Sequence, residues 1–532
     1  MRREGIQNCQ VPVTWLWVFL VAMFATGLFF RFANLDRKVY WNDEVWFSLR
    51  ISGHTRSEMV KEIFDGHEIG AEDLQKYQRV TPEKDVADTI MALAREDPKI
   101  PPLYHVLARF WLQIFGDSVE AKRCLSAIIS LLVFPCLYWL SRELFGSSLT
   151  GWIAVVLMTI SPFHVLYAQE AYSYSLWTMT ILLSSAALLR ALRLQTGSSW
   201  AVYAAAVAMG LYTHLLFGLV MIAHGVYVAA VSLETLNLKQ LAWPKPLDRY
   251  LLATVMGLIA FVPWATVLIA GGFQIHPSWL NENFPLRRIL GYWFYNFGSV
   301  FLDTEGYPYG MRSPLIDLIS LSILALAAYS MYFLCRRTQK RTWFFVLTLT
   351  ASTFVPLVLG DVIWGGRRST VARYLIPSYL GLQLALAYLL AARIHSANFA
   401  QRMSWRAILA VVIGAGVVSA AISSQAETWW NKAGSDDVPG VARAINQFSR
   451  PLVISDHYGL NPGNLMSLSY RLGPKIRLRL VDCPNLPNIP DGFSDILLFN
   501  PSECLRLKLE ADEKSMIEAI DAHGMLWRLT RK

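Results

Sequence analysis

The chain has 532 residues, 54% of them hydrophobic, 13% aromatic and only 16% charged, and its formal net charge is +9. A soluble domain carries about 25% Asp, Glu, Lys and Arg, so composition excludes a disordered chain, a disulfide-stapled mini-domain and an ordinary soluble globule. The basic residues are dispersed between long apolar runs, which argues against a nucleic-acid partner and for the loops of a polytopic membrane protein.

In chain order, the first apolar run, 13–33, follows Met1-Arg2-Arg3. It is long and no A-x-A-like site follows it closely, so it reads as a membrane helix with a cytoplasmic N-terminus rather than a signal peptide. Residues 34–119 read as a large first outer loop with short surface helices. Ten further runs follow, at 120–141, 149–167, 171–192, 199–214, 215–236, 250–271, 313–335, 342–360, 371–392 and 406–423; with the first they make about eleven transmembrane helices. The run 101–115 is left out of that count. It begins with two prolines, has Arg109 at its centre, and at about 15 residues is short for a span. Leaving it out puts Arg142, Arg190, Arg193, Arg249, Arg336, Arg337, Arg341, Arg393, Arg402 and Arg406 on the cytoplasmic side. Counting it would invert them all, against the positive-inside bias, so it reads as a helix lying at the outer interface.

After residue 423 the hydropathy drops. Residues 1–423 are therefore read as the transmembrane domain and 424–532 as a small extracytoplasmic α/β domain. Its strands are expected at 451–456, 476–482 and 495–500, and its helices at 438–448 and 514–523. Cys483 and Cys504 lie in this region, and their pairing turns on whether it faces an oxidising compartment. The location expected for the whole chain is a cell membrane, crossed many times, with membrane lipids as neighbours.

Polar residues concentrate at the outer ends of the predicted spans. Asp43 and Glu44 follow the first helix, between Trp41 and Trp46, which would hold this turn at the aromatic interfacial belt. Gln169 and Glu170 follow the third span, His214 lies at the turn between spans five and six, and Arg367, Arg368 and Arg373 precede span ten. The three arginines break the positive-inside pattern, and guanidinium groups there suit an anion presented at the outer leaflet. Each position also has an ordinary reading: a solvated acidic pair, a helix cap for Glu170, an interfacial histidine. Asn281, Glu282, Asp303 and Glu305, in the outer loop 272–312, are left without a decided role. There is no G-x-x-x-x-G-K-[ST] loop and no H-E-x-x-H helix, so a nucleotide cradle is unsupported, and a lipid-linked donor answers the need for substrate outside the cytoplasm.

Several short motifs, in order, resemble glycosyltransferase family 39 of the GT-C superfamily: the Asp43-Glu44 pair, Pro-Pro-Leu-Tyr at 101–104, AQEAY at 168–172, Tyr212-Thr213-His214, and Arg373-Tyr374-Leu375 with Pro377. That family includes protein O-mannosyltransferases and the lipid A aminoarabinose transferase. The resemblance spans about 13–395 and does not cover the tail. Where bacterial relatives often have Arg two residues after the Glu, this chain has Tyr172.

What the resemblance implies is a GT-C fold and transfer of a sugar from a polyprenyl-phosphate donor to an acceptor at the outer face, with inversion. Asp43 is the expected base, with Glu44 orienting it or binding acceptor. Glu170 would orient a substrate or share a divalent cation with Asp43. Arg373, with Arg367 or Arg368 and Tyr374, would hold the lipid phosphate, and His214, Gln169 and Tyr104 would contact substrate. The sequence does not identify the acceptor: glycolipid, polysaccharide and protein all stay open. The rival reading is a lipid-linked sugar transporter or flippase, although such proteins place ionisable groups near the bilayer midplane.

Overall fold

A computed structural model describes residues 13–234, 245–272, 278–304, 314–485, 489–513, 515–521 and 523–531. The chain divides into two compact units. The first comprises Met1–Ala33, Lys99–Pro101 and Ser126–Ser424; the second comprises Asn34–Pro98, Pro102–Leu125 and Gln425–Lys532.

The first unit is helical, as a chain without water must be if its backbone groups are to bond within the segment. Among the described residues, seven helices are long and apolar enough to cross a membrane: Val119–Phe145, Tyr174–Leu194, Pro246–Ala270, Pro314–Arg337, Lys340–Trp364, Ala372–Arg393 and Phe399–Gln425. An eighth forms if Ser148–Ile160 and Pro162–Ala168, bent by 61° at their junction, count as one. Pro162 sits at the start of the second piece, where its missing N–H breaks no bond. The runs at 13–33, 199–214 and 215–236 hold the helices Val13–Phe32, Gly197–Thr213 and Phe217–Glu234, which are not among these candidate spans. The expected eleven is thus an upper figure. Arg142, Arg193, Arg337 and Arg393 occupy the last turns of their helices, at one end of the bundle, where cations oppose the helix dipole.

Buried polar contacts fix the packing of these helices. Arg31, near the end of Val13–Phe32, donates to Ser130 Oγ at 3.1 Å, Thr159 O at 2.6 Å, Met158 O at 3.1 Å and Gly27 O at 3.1 Å. Gln169 Nε2 donates to Phe30 O and Ala33 O at 2.8 and 2.9 Å, satisfying carbonyls that a helix terminus leaves open. His224 bridges Ser185 and Tyr203 across three helices, at 3.1 and 3.2 Å.

The second unit is built on a six-stranded sheet of β1 (Glu68–Ile69), β2 (Pro451–Asp456), β3 (Arg477–Val481), β4 (Asp495–Phe499), β5 (Ser515–Ala519) and β6 (Leu526–Arg531). Its order is β1-β3-β2-β4-β6-β5. The central pairs β2–β3 and β2–β4 are parallel, and β2 is buried along its whole length, as a run covered on both faces requires. Leu452, Ile454, Leu498, Leu505 and Leu509 share one core. The expected strands are present, and so is the helix Val438–Gln447. The stretch 514–523, read as a helix, instead holds β5, while the helix lies earlier, at Glu503–Glu513. Cys483 and Cys504 are disulfide-bonded. Because β1 comes from the first loop, the unit around the sheet is larger than 424–532.

The 101–115 segment forms the helix Leu103–Phe115 in this unit. Tyr104, His105, Ala108, Arg109 and Leu112 are buried, while Leu107, Phe110 and Ile114 are exposed. That leaves an apolar stripe at i, i+3, i+7, the pattern of a helix lying along a membrane surface. Arg109 faces inward, donating to Ile51 O at 3.0 Å, Thr89 Oγ1 at 3.1 Å and Lys84 O.

Candidate functional site

The residues singled out in the sequence fall into both units. Glu170, Gln169, His214, Arg367, Arg368, Arg373 and Tyr374 belong to the first; Asp43, Glu44 and Tyr104 belong to the second.

In the first unit the breaks before Tyr174–Leu194, after Gly197–Thr213 and before Ile376–Arg393 lie at the bundle end opposite the basic clusters. Arg373 lies there, its guanidinium 5.9 Å from the rings of both Tyr174 and Tyr374. His214 stacks on Trp177 with centroids 4.2 Å apart and meets Tyr374 edge-on at 6.4 Å. Its Nδ1 accepts from Leu216 N at 3.2 Å. Tyr172 stacks on Tyr174 at 4.5 Å, so the residue replacing the family's Arg adds to this aromatic wall. Glu170 is fully buried just before it.

The three arginines part ways. Arg368 is buried and its group is used locally: its N–H and guanidinium go to Asp361 Oδ1 at 2.7 and 3.4 Å, and the guanidinium also reaches Gly365 O at 2.5 Å and Asn281 Oδ1 at 2.8 Å. Arg367 pairs with Glu282 at 3.6 Å and lies 4.6 Å from the Phe284 ring. Asn281 and Glu282, assigned no role from sequence, are thus the partners of these arginines. Asp303 accepts from Tyr295 Oη at 2.9 Å and is structural. Arg368, expected at the phosphate, thus anchors a loop, and Gln169, expected at substrate, makes the helix-end contact described above. Spacing could not separate Arg373 from its neighbours, because the partners come from distant segments.

In the second unit, Asp43 and Glu44 open the helix Asn42–Ile51. Glu44 is 0% exposed. Arg123 engages both of its oxygens, Nε to Oε1 at 2.8 Å and Nη2 to Oε2 at 2.6 Å, and Lys432 Nζ reaches Oε2 at 3.1 Å. Arg123 also donates to the carbonyls of Leu35, Lys38 and Val39 at 2.6–2.9 Å. A bidentate guanidinium and an ammonium on one buried carboxylate form a fixed clasp. Glu44, expected to orient Asp43 or bind acceptor, is held in this clasp. Asp43, one residue earlier, stays half-exposed. Tyr104 is buried against Phe47, with centroids 5.8 Å apart, and belongs to the core rather than to a substrate surface. Sequence reasoning missed Arg123 and Lys432; the one signal was an arginine and a lysine at the head of an otherwise apolar run (Lys122-Arg123), without any hint of their partner. Among the described residues, no three metal-ligating side chains come together.

Residues 99–266 match the model of the dolichyl-phosphate-mannose-protein mannosyltransferase family. No curated protein matches the sequence. Among solved structures, the chain is similar to ArnT from Cupriavidus metallidurans bound to undecaprenyl phosphate, with 12% identity and a TM-score of 0.54 over 97% of this chain and 98% of that one. ArnT from the same organism in the apo state gives 14% identity and a TM-score of 0.51 over the same shares. At such identities the likeness is one of fold. The family match thus covers part of the membrane region, and along nearly its whole length the chain has the fold of ArnT.

Proposed function

We propose that the protein transfers a sugar from a polyprenyl-phosphate carrier to an acceptor hydroxyl at the outer face of the membrane, with Asp43 as base and Arg373 as the phosphate ligand. Arg373 carries the reading: its guanidinium lies 5.9 Å from the rings of Tyr174 and Tyr374, at the bundle end where His214 stacks on Trp177 and meets Tyr374. The match to a family that uses dolichyl-phosphate mannose supports the donor class, as does the undecaprenyl phosphate bound by the ArnT relative. The disulfide of the second unit supports an oxidising, extracytoplasmic location for it.

The chemistry is one displacement. The acceptor oxygen attacks the anomeric carbon as Asp43 takes its proton, the bond from that carbon to the phosphate oxygen breaks, and the lipid phosphate leaves with the electron pair. Arg373 stabilises that growing charge. Tyr374, His214 and Trp177 line the place where Arg373 sits. Attack opposite the leaving group inverts the anomeric centre. Glu44 acts through its clasp, as a positioning residue for Asp43.

The test is transfer from a panel of radiolabelled polyprenyl-phosphate sugars by protein in proteoliposomes. Label in an acceptor, with the product anomer opposite to the donor's, is expected. Movement of intact donor across the bilayer with no cleavage would establish the flippase instead.

A further inference from the structure

At the basic end of the helical bundle, where Arg142, Arg193, Arg337 and Arg393 gather, the first unit holds a cavity of about 440 Å³. Close-packed helices rarely leave this much room, and the volume falls within the range of about 300–1,000 Å³ usual for small-molecule sites. Its walls come from the ends of Val119–Phe145, Tyr174–Leu194 and Phe217–Glu234, from Pro246, and from the turn that starts Lys340–Trp364. These walls are fixed to one another. Thr342 Oγ1 donates to Leu144 O at 3.3 Å, and Tyr227 meets the Phe345 ring edge-on with centroids 5.0 Å apart. Arg193 Nε and Nη2 donate to Glu143 Oε2 and Oε1 at 2.9 Å each, tying the ends of two helices together.

The lining divides by polarity. Leu144 and Tyr227 are buried, with Leu189, Leu192 and Val231 part-buried beside them, so the inner part is apolar. Arg193, Gln339 and Arg341 are exposed and form a polar mouth. Glu143 is the one acid among the lining residues. Its carboxylate already accepts from Arg193 and, at 3.1 Å, from Trp139 Nε1, and Arg190 stands 3.8 Å away. Three guanidinium groups to one carboxylate leave the cavity positive, and the start of Lys340–Trp364 adds the positive end of a helix dipole. An anion is therefore the complementary occupant. A free hydrated anion would lose water against the apolar walls without compensation. A lipid headgroup at the end of membrane-crossing helices presents its phosphate to the arginines and its first methylenes to the leucines, as in other basic pockets between such helices.

We propose that this cavity binds the headgroup of an anionic glycerophospholipid from the leaflet at the basic end, its phosphate on Arg341 and Arg193 and its first methylenes on Leu189, Leu192 and Val231. The site is separate from the one assigned to the donor phosphate at Arg373, which lies at the opposite end of the bundle. The experiment titrates detergent-purified protein with phosphatidylglycerol or phosphatidylcholine, with and without millimolar inorganic phosphate, and counts bound lipid by native mass spectrometry. It compares wild type with Arg341→Gln, Leu192→Trp, Arg336→Gln and Arg373→Ala. Wild type is expected to bind one phosphatidylglycerol at least 10-fold more tightly than phosphatidylcholine. Arg341→Gln should weaken that binding about 10-fold, the loss expected of one charge-assisted hydrogen bond. Leu192→Trp, which fills the cavity without changing its charge, should weaken it as much and carries the test should Arg341→Gln fail to fold. Arg336→Gln removes an exposed charge at the same end outside the cavity and should change nothing, as should Arg373→Ala. Equal affinity for the two lipids, or binding indifferent to both cavity variants, would overturn the proposal. So would an equal loss in Arg336→Gln, which would mean diffuse attraction, or a loss confined to Arg373→Ala, which would place the lipid at the donor site. Displacement of the lipid by inorganic phosphate would assign the cavity to a soluble anion instead.

Discussion

Two adjacent carboxylates, Asp43 and Glu44, look equivalent in the sequence and are treated very differently by the fold. Glu44 is sealed under Arg123 and Lys432, and Asp43 stays half-exposed. Asp43→Asn is therefore expected to lower transfer by at least 100-fold with unchanged yield and melting temperature; full activity in that variant would remove Asp43 from the mechanism. Arg123→Ala should do the reverse, leaving Glu44 and Lys432 buried without their bidentate partner. A loss of about 3–5 kcal/mol is expected for breaking such a pair, read as a lower melting temperature or lost expression. Arg373→Ala is expected to raise the donor KM more than the acceptor KM, and equal changes in both would speak against a phosphate contact.

At the scale of elements, the same residue types mean different things according to what they pack against. The Leu103–Phe115 helix has apolar residues on both faces and an arginine at its centre, a poor span and a workable surface helix, because Arg109 is satisfied by backbone carbonyls of its own unit. Replacing Phe110 and Ile114, both exposed, with Glu should leave the unit folded but weaken protection of this helix by lipid in hydrogen exchange. The Cys483–Cys504 bond closes a separation of 21 residues, for which a loop-entropy argument gives about 3 kcal/mol. Reduction should thus lower the melting temperature of the second unit, whereas an unchanged value would mean that the bond constrains little.

For the whole molecule, hydropathy and charge determined that the chain is a polytopic helical membrane protein with one amphipathic segment and a mixed α/β tail. These features repeat over many residues, so each rests on a sum of similar small preferences. The short motifs at Asp43, Glu170, His214 and Arg373 stand out in the sequence because polar groups at helix ends are conspicuous in a chain this apolar. Only the tertiary structure decided that Glu44 is a clasp, that Arg368 anchors a loop, that Gln169 closes a helix end, and that the first loop supplies β1 to the sheet of the tail. Each of those outcomes depends on a few partners, some 79 to more than 400 residues away, or on a local turn geometry, and pairings of that kind leave no periodic trace in the sequence.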